Sequence, residues 1–275
     1  MRRAVVLGGG GPVGLAWEMG LIDALGERGA GVGDADLVVG TSAGAVAGAY
    51  LTLGEDTSEL LAAAKLPVGA GTVDLAAMQA AMLRAIAGAA GPVEALQAIG
   101  RAALAADTMP EEAFLAHPYF ARLVGRPWPE SFRCTTIDAL TGEFRVWSAA
   151  DGVELHRAVA ASCAVPTVIP PITVGGAPQI DGGMRTPLNA HTAEHATSVL
   201  AISCYPLDSP DRPADPILDE VDRRQHADLA ALRAAGAEVT VIEPDLAFQE
   251  LSGRGLHVLD GSRAPRAYEL GRAHG

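Results

Sequence analysis

Short apolar runs closed by glycine or a polar residue punctuate this chain. Ala4-Val5-Val6-Leu7 and Asp36-Leu37-Val38-Val39 lack polar alternation within their apolar part, the pattern of strands buried on both faces. A glycine-bearing loop follows each, and then a helix-length segment: about Val13 to Arg28 after the first, and a small-residue stretch to about Leu53 after the second. Strand, loop and helix, twice over, predict the start of a parallel sheet. Strands resume at Arg133 to Ile137 and Phe144 to Ser148, around a hairpin loop at Asp138-Ala139-Leu140-Thr141-Gly142. A helix from about Gly152 to Ser162 stops ahead of Pro166. Ile172 to Val174 and Pro178 to Ile180 flank Gly175-Gly176 as a second hairpin. Val199 to Ser203 and Glu238 to Ile242 are two more buried strands. The helix between them, about Pro216 to Ala235, carries Asp222, Arg223, Arg224 and Gln225 as a solvated outer face, and Ala264 to Arg272 closes the chain as a helix.

Residues 55–118 break this rhythm. They are rich in alanine, poor in β-branched and aromatic residues, and punctuated by Pro67, Gly69, Gly71, Gly88, Gly91-Pro92 and Pro110. About three helices and no strand are expected. Such an insertion either caps a site or covers a sheet face. The alternation elsewhere favours a single α/β domain over residues 1–275, with this helical insertion inside it.

Composition narrows the function. The 275 residues carry 33 Asp plus Glu against 20 Lys plus Arg, a net charge of −13. Nucleic acid is an unsuitable partner for such a surface, because phosphate binding needs clustered cations. The charge also opposes electrostatic docking on anionic membranes, yet leaves room for a lipid entering an apolar groove and for peripheral membrane contact. Three widely spaced cysteines (Cys134, Cys163, Cys204) give neither a disulfide framework nor a zinc spacing. Ala4 to Leu7 is too short for a secretory apolar region, and no stretch is long enough for an integral membrane span, so a soluble cytoplasmic protein is expected.

Gly40-Thr41-Ser42-Ala43-Gly44 fits Gly-x-Ser-x-Gly between a strand and a helix, the context in which that motif projects a nucleophilic serine. The helix beyond it aims its N-terminal amides at the same place. Without chemistry, the same residues would make a tight turn with a capping hydroxyl. Gly8 to Gly11, Pro12, Val13 and Gly14 admit two uses. One is a dinucleotide loop, with Gly9, Gly11 and Gly14 in the Gly-x-Gly-x-x-Gly positions. The other is an oxyanion hole of consecutive amides. The dinucleotide use wants an acidic residue at the end of the second strand, where Val39-Gly40-Thr41-Ser42 stands instead. For a base, the seven histidines (His117, His156, His191, His195, His226, His257, His274) lie on helices or polar loops without persuasive context. Asp181-Gly182-Gly183 follows an apolar segment, and its glycines permit close wrapping against another loop. A carboxylate in a dry site can take a serine proton directly. Taken alone, Asp-Gly-Gly reads equally as a hairpin turn.

Four pieces in order resemble the patatin-like phospholipase family: Gly9-Gly10-Gly11-Pro12-Val13-Gly14, Gly40-Thr41-Ser42-Ala43-Gly44, Ala161-Ser162-Cys163-Ala164-Val165-Pro166 with Pro170-Pro171, and Asp181-Gly182-Gly183. The resemblance implies a three-layer α/β/α fold with a mostly parallel sheet. It implies a Ser42–Asp181 dyad, an oxyanion hole from the amides of Gly9, Gly10 and Gly11, and lipid acyl hydrolase or esterase activity on an acyl ester, with no cofactor or metal. Gly14, Gly40, Gly44, Gly182 and Gly183 are the supporting motif positions. Val13 departs from the pattern, since many relatives carry a basic residue there. The Ala161 to Pro171 segment has no chemistry legible from its residues and is expected to be scaffold. The alternative function is non-catalytic, a nucleotide or acyl-ligand binder using the glycine loop.

Overall fold

The computed structural model describes residues 2–66, 80, 84, 86–208 and 216–275. Two strand–helix units open the chain: β1 (Arg3–Leu7), α1 (Gly11–Glu27), β2 (Leu37–Gly40) and α2 (Ala43–Leu53). The insertion contributes α3 (Ser58–Ala63), α4 (Pro92–Ala105), α5 (Glu111–Leu115) and α6 (Pro118–Ala121). Then come β3 (Phe132–Asp138), β4 (Phe144–Trp147), α7 (Leu155–Ser162), β5 (Ile172–Val174) and β6 (Ala177–Asp181). The chain finishes with β7 (Ser198–Ile202), α8 (Pro216–Ala234), β8 (Glu238–Ile242), α9 (Leu246–Leu251) and α10 (Ala264–His274).

Alternation along the strands builds three layers. Val5 and Leu7 of β1 and Val38 of β2 pack into one core with Trp17 of α1, Tyr50 of α2 and Val159 of α7. Ala4, Val6, Leu37 and Val39, on the opposite face, pack with Leu229 and Leu232 of α8. Both faces are therefore covered, as the unbroken apolar runs require. The sheet is mixed, in the order β5-β6-β3-β2-β1-β7-β8, with β4 also on β3. β3, β2, β1, β7 and β8 run parallel, and the β3–β4, β3–β6 and β5–β6 pairings are antiparallel.

Three local outcomes differ from the sequence expectation for physical reasons. α1 starts at Gly11, earlier than expected, because Pro12 is well suited to a helix's first turn. α7 starts at Leu155, because Ser148 and Asp151 close a capping box around a 3₁₀ turn that ends at Gly152, whose φ is +65°. The outer face of α8 is only partly solvated: Arg223 is exposed, but Gln225 is 3% exposed and Asp228 8%.

Within the described part of 55–118 there are only helices and turns; residues 67–79, 81–83 and 85 fall outside the described ones. Leu96, Ile99 and Ala103 of α4 pack on Ile137 of β3 and Ile180 of β6, so this helix covers a sheet face. Lys65 and Leu66, just beyond α3, reach a cleft at the carboxyl ends of β1 and β2.

Candidate active site

The turn from β2 into α2 is sterically forced. A Cβ on Gly40 would collide with the Gly44 carbonyl and the Ala45 backbone, and one on Gly44 would collide with the Leu7 carbonyl of β1. Between them Ser42 has φ 54° and ψ −117°, a strained conformation for a non-glycine residue. The strain is held from behind by the end of α7. The Ser42 amide donates to Ser162 Oγ at 2.9 Å, and Cys163 Sγ donates to the Ser42 carbonyl at 3.2 Å. The Ala161 to Pro166 segment is thus the clamp on the serine backbone. Its residue types carry no local signature of that role, because the bonds join residues some 120 positions apart.

Asp181 arrives by an unusual sharing of β3. Cys134 pairs with both Gly40 and Trp147, and Thr136 with both Asp181 and Arg145. β4 therefore occupies one edge of β3, while β2 and β6 meet end to end along the other. The last residue of β2 and the last of β6 sit opposite β3 residues two apart, and this juxtaposes the serine turn with the aspartate. Gly182 approaches a strand closely rather than another loop: a Cβ there would strike Thr135 of β3. Gly183 turns its amide back to Asp181 Oδ1 at 2.8 Å, and the Asp181 amide donates to the Ala164 carbonyl at 3.0 Å. Asp181 is 3% exposed. Burial pushes its carboxyl up to about 7, although the Gly183 amide and the Ser42 side chain pull it back.

The glycine loop is largely committed to structure. Gly8 donates to the Ile202 carbonyl at 2.9 Å, Gly9 to Pro187 at 2.9 Å, Val13 to Val258 at 3.1 Å and Gly14 to Gly10 at 2.8 Å. Among the described residues, the Gly10 and Gly11 amides have no acceptor. The expectation for Gly9 is corrected on this point, because its N–H is already spent on Pro187. Gly9 instead provides close approach, since a Cβ there would lie 3.2 Å from Ser42 Cβ. Gly10 and Gly14 both pack on Cys204, at 2.6 and 2.9 Å from a hypothetical Cβ. Beneath them Glu18 of α1 is fully buried, and burial pushes its carboxyl well above the usual range. Val13 is also fully buried, packed in the core where a cation would be costly.

Gly9, Gly10, Gly11, Ser42 and Asp181 line one cleft of about 530 Å³. Its walls are chiefly apolar, from Leu15, Val46, Phe120, Val165, Val168 and Ile169. Lys65, the chain's only lysine, and His257 are among the other lining residues. No histidine hydrogen-bonds to Ser42 or Asp181 among the described residues. His191 and His226 bond to Asp228 and Asp208, and burial lowers the pKa of His117 to about 4 and also lowers that of His156. Among the described residues no group of three or more His, Cys, Asp or Glu side chains could share a metal ion, and no helix is long and apolar enough to cross a membrane.

No curated protein matches the sequence. Among solved structures, the chain is similar to VipD from Legionella pneumophila, at 14% identity and a TM-score of 0.45, with 98% of this chain and 67% of that one covered. It is also similar to the type III effector protein ExoU, at 15% identity and a TM-score of 0.31, with 97% of this chain and 53% of that one covered. A family model described as patatin-like phospholipase matches residues 5–194, from within β1 past the Asp181 turn. That span takes in all four motifs and both converging loops, and the chain belongs to the patatin-like phospholipase family.

Proposed function

We propose that the protein is a serine acyl hydrolase acting on lipid or other acyl esters, with Ser42 as nucleophile and Asp181 as base. The family supports lipid acyl hydrolysis. The finer reading rests above all on the buried Asp181 carboxyl, raised to about 7 beside the Ser42 side chain in an apolar cleft. A carboxylate poised near neutrality is a better proton acceptor than an ordinary aspartate.

Asp181 accepts the Ser42 proton as the hydroxyl oxygen attacks the acyl carbonyl. The amides of Gly10 and Gly11, narrowed from the three glycines expected, hold the oxyanion. The positive end of α2 adds to the field there. As the tetrahedral adduct collapses, Asp181 returns the proton to the leaving alcohol. It then takes a proton from water as the oxygen attacks the acyl-enzyme carbonyl, and gives that proton to Ser42 Oγ as the acyl–oxygen bond breaks, which releases the acid and regenerates both residues. The non-catalytic alternative is disfavoured by the glycine loop itself. Gly8, Gly9, Val13 and Gly14 already spend their amides inside the protein, which leaves little to cradle a pyrophosphate.

A fluorophosphonate probe tests the assignment. Labelling of wild type at Ser42, located by mass spectrometry, is expected to vanish in Ser42→Ala and weaken strongly in Asp181→Asn. Well-folded wild type that takes no label would refute it.

A further inference from the structure

The geometry points to Asn189 as a positioning residue that sets the spacing between nucleophile and base; this rests on the Ser42–Asp181 reading. Asn189 is the only asparagine in the chain. It is completely buried and has φ +50°, in the left-handed region that asparagine tolerates better than most residues. Its side-chain amide is used in full. Nδ2 donates to Thr41 Oγ1 at 3.2 Å and to the Gly182 carbonyl at 3.1 Å. Oδ1 accepts from Thr186 Oγ1 at 3.1 Å and from Arg185 Nη1 at 3.2 Å. Two donors and two acceptor positions are the whole capacity of an asparagine.

The two donor targets give the arrangement its meaning. Thr41 immediately precedes the nucleophile, and Gly182 immediately follows the base. One side chain therefore ties the two catalytic loops directly to each other, 148 residues apart for Thr41 and seven for Gly182. Thr41 Oγ1 also meets Thr135 Oγ1 at 2.8 Å, so the tie is anchored on β3, where the two strands meet end to end. The acceptor side runs outward. Arg185 holds Asp228 of α8 through two bonds of 2.7 and 3.0 Å, and His191 Nδ1 lies 3.2 Å from the same carboxylate. Asn189 thus fixes the dyad from within and is itself held by an ion-paired network behind it. Its side-chain hydrogen bonds go to Thr41, Gly182, Thr186 and Arg185 and not to Ser42 or Asp181, so its action is through its neighbours.

Three substitutions test this. Asn189→Asp keeps the shape and the Arg185 and Thr186 bonds. It loses both donors, sets an oxygen against the Gly182 carbonyl and adds a negative charge near Asp181. A fall in kcat of about 100-fold is expected, the cost typical of a misplaced catalytic group, with KM almost unchanged. The acid limb of Ser42 capture by a fluorophosphonate should also move to higher pH. Asn189→Gly removes the side chain without straining the +50° backbone, and should slow capture with a smaller displacement of the limb. Thr41→Val deletes the acceptor from the serine side. Alone it should cost about 10-fold, and clearly less in the Asn189→Gly background, where only the bond to Thr135 is left to lose. A merely structural asparagine would lower the urea midpoint without moving the limb or coupling to Thr41. Wild-type-like capture and an unmoved limb in folded Asn189→Asp, or full additivity with Thr41→Val, would overturn the inference while leaving Ser42 labelling intact. A wild type that does not label at Ser42 overturns both readings.

Discussion

The two halves of the proposed dyad are held by different physics. The serine side is held by backbone crowding. Gly40 and Gly44 let the turn close against itself and against Leu7, and Ser162 and Cys163 pin the Ser42 peptide groups. The aspartate side is held by polar side chains. Gly183 orients the carboxylate, Asn189 ties its loop to Thr41, and the Arg185–Asp228 pair closes the network from α8. Crowding is all-or-none, because an added methyl has nowhere to go. A hydrogen-bond network is graded, because each member can be weakened separately.

The largest break in this comparison is chemical. Ser42→Ala should reduce ester turnover on the order of 10⁴-fold or more, with the fold retained by circular dichroism. Appreciable residual hydrolysis in a pure sample would exclude Ser42. The next tests crowding. Gly44→Ala should destabilise the protein by several kcal/mol or prevent folding, because its Cβ meets the Leu7 carbonyl in the sheet core. A urea midpoint close to wild type would show that the turn has slack it is not expected to have.

Asp181 gives a sharper test because rate and stability move in opposite directions. Its pKa is raised on folding, so the folded state binds more protons than the unfolded one between about pH 4 and 7. Stability therefore falls as pH rises through that window, and above it the buried charge is a standing cost. Asp181→Asn should abolish turnover and raise Tm by several degrees at pH 8, with little gain at pH 4. A lower Tm at pH 8 would mean that the carboxylate is stabilised by contacts beyond Gly183 and Ser42. The smallest expected effect is at Asp228. Burial raises its carboxyl, but the bonds from His191 and Arg185 prevail and hold it at about 2. This depressed value contributes stability that is present above about pH 4 and lost as pH falls toward 2. Asp228→Asn should flatten that acid arm of the stability curve and weaken the dyad only through Arg185 and Asn189.

The same contrast explains what the residues disclosed beforehand. Gly40, Ser42 and Gly44 were legible because close approach demands glycine at fixed spacing from a projecting serine. Buried strands were legible from unbroken apolar runs, and two hairpins from their turns. Ser162, Cys163 and Asn189 act only through partners far away in sequence, so nothing local marks them. Gln225 misleads for the converse reason: in a run of mixed charges, burial depends on what α8 packs against. Nothing local distinguishes the Gly9 amide from the others of its loop, because its acceptor, Pro187, is far away in sequence. α9 has too short an apolar pattern to announce a helix.

The central claim is that a carboxylate alone serves as base, and His257 is the rival that shares the cleft. The direct test is the pH dependence of fluorophosphonate capture at Ser42, in wild type and in His257→Ala. The account predicts one acid limb near pH 7 in both proteins, set by Asp181 and indifferent to the imidazole. Loss of capture in His257→Ala, or loss of its acid limb, would contradict it and make the histidine the base.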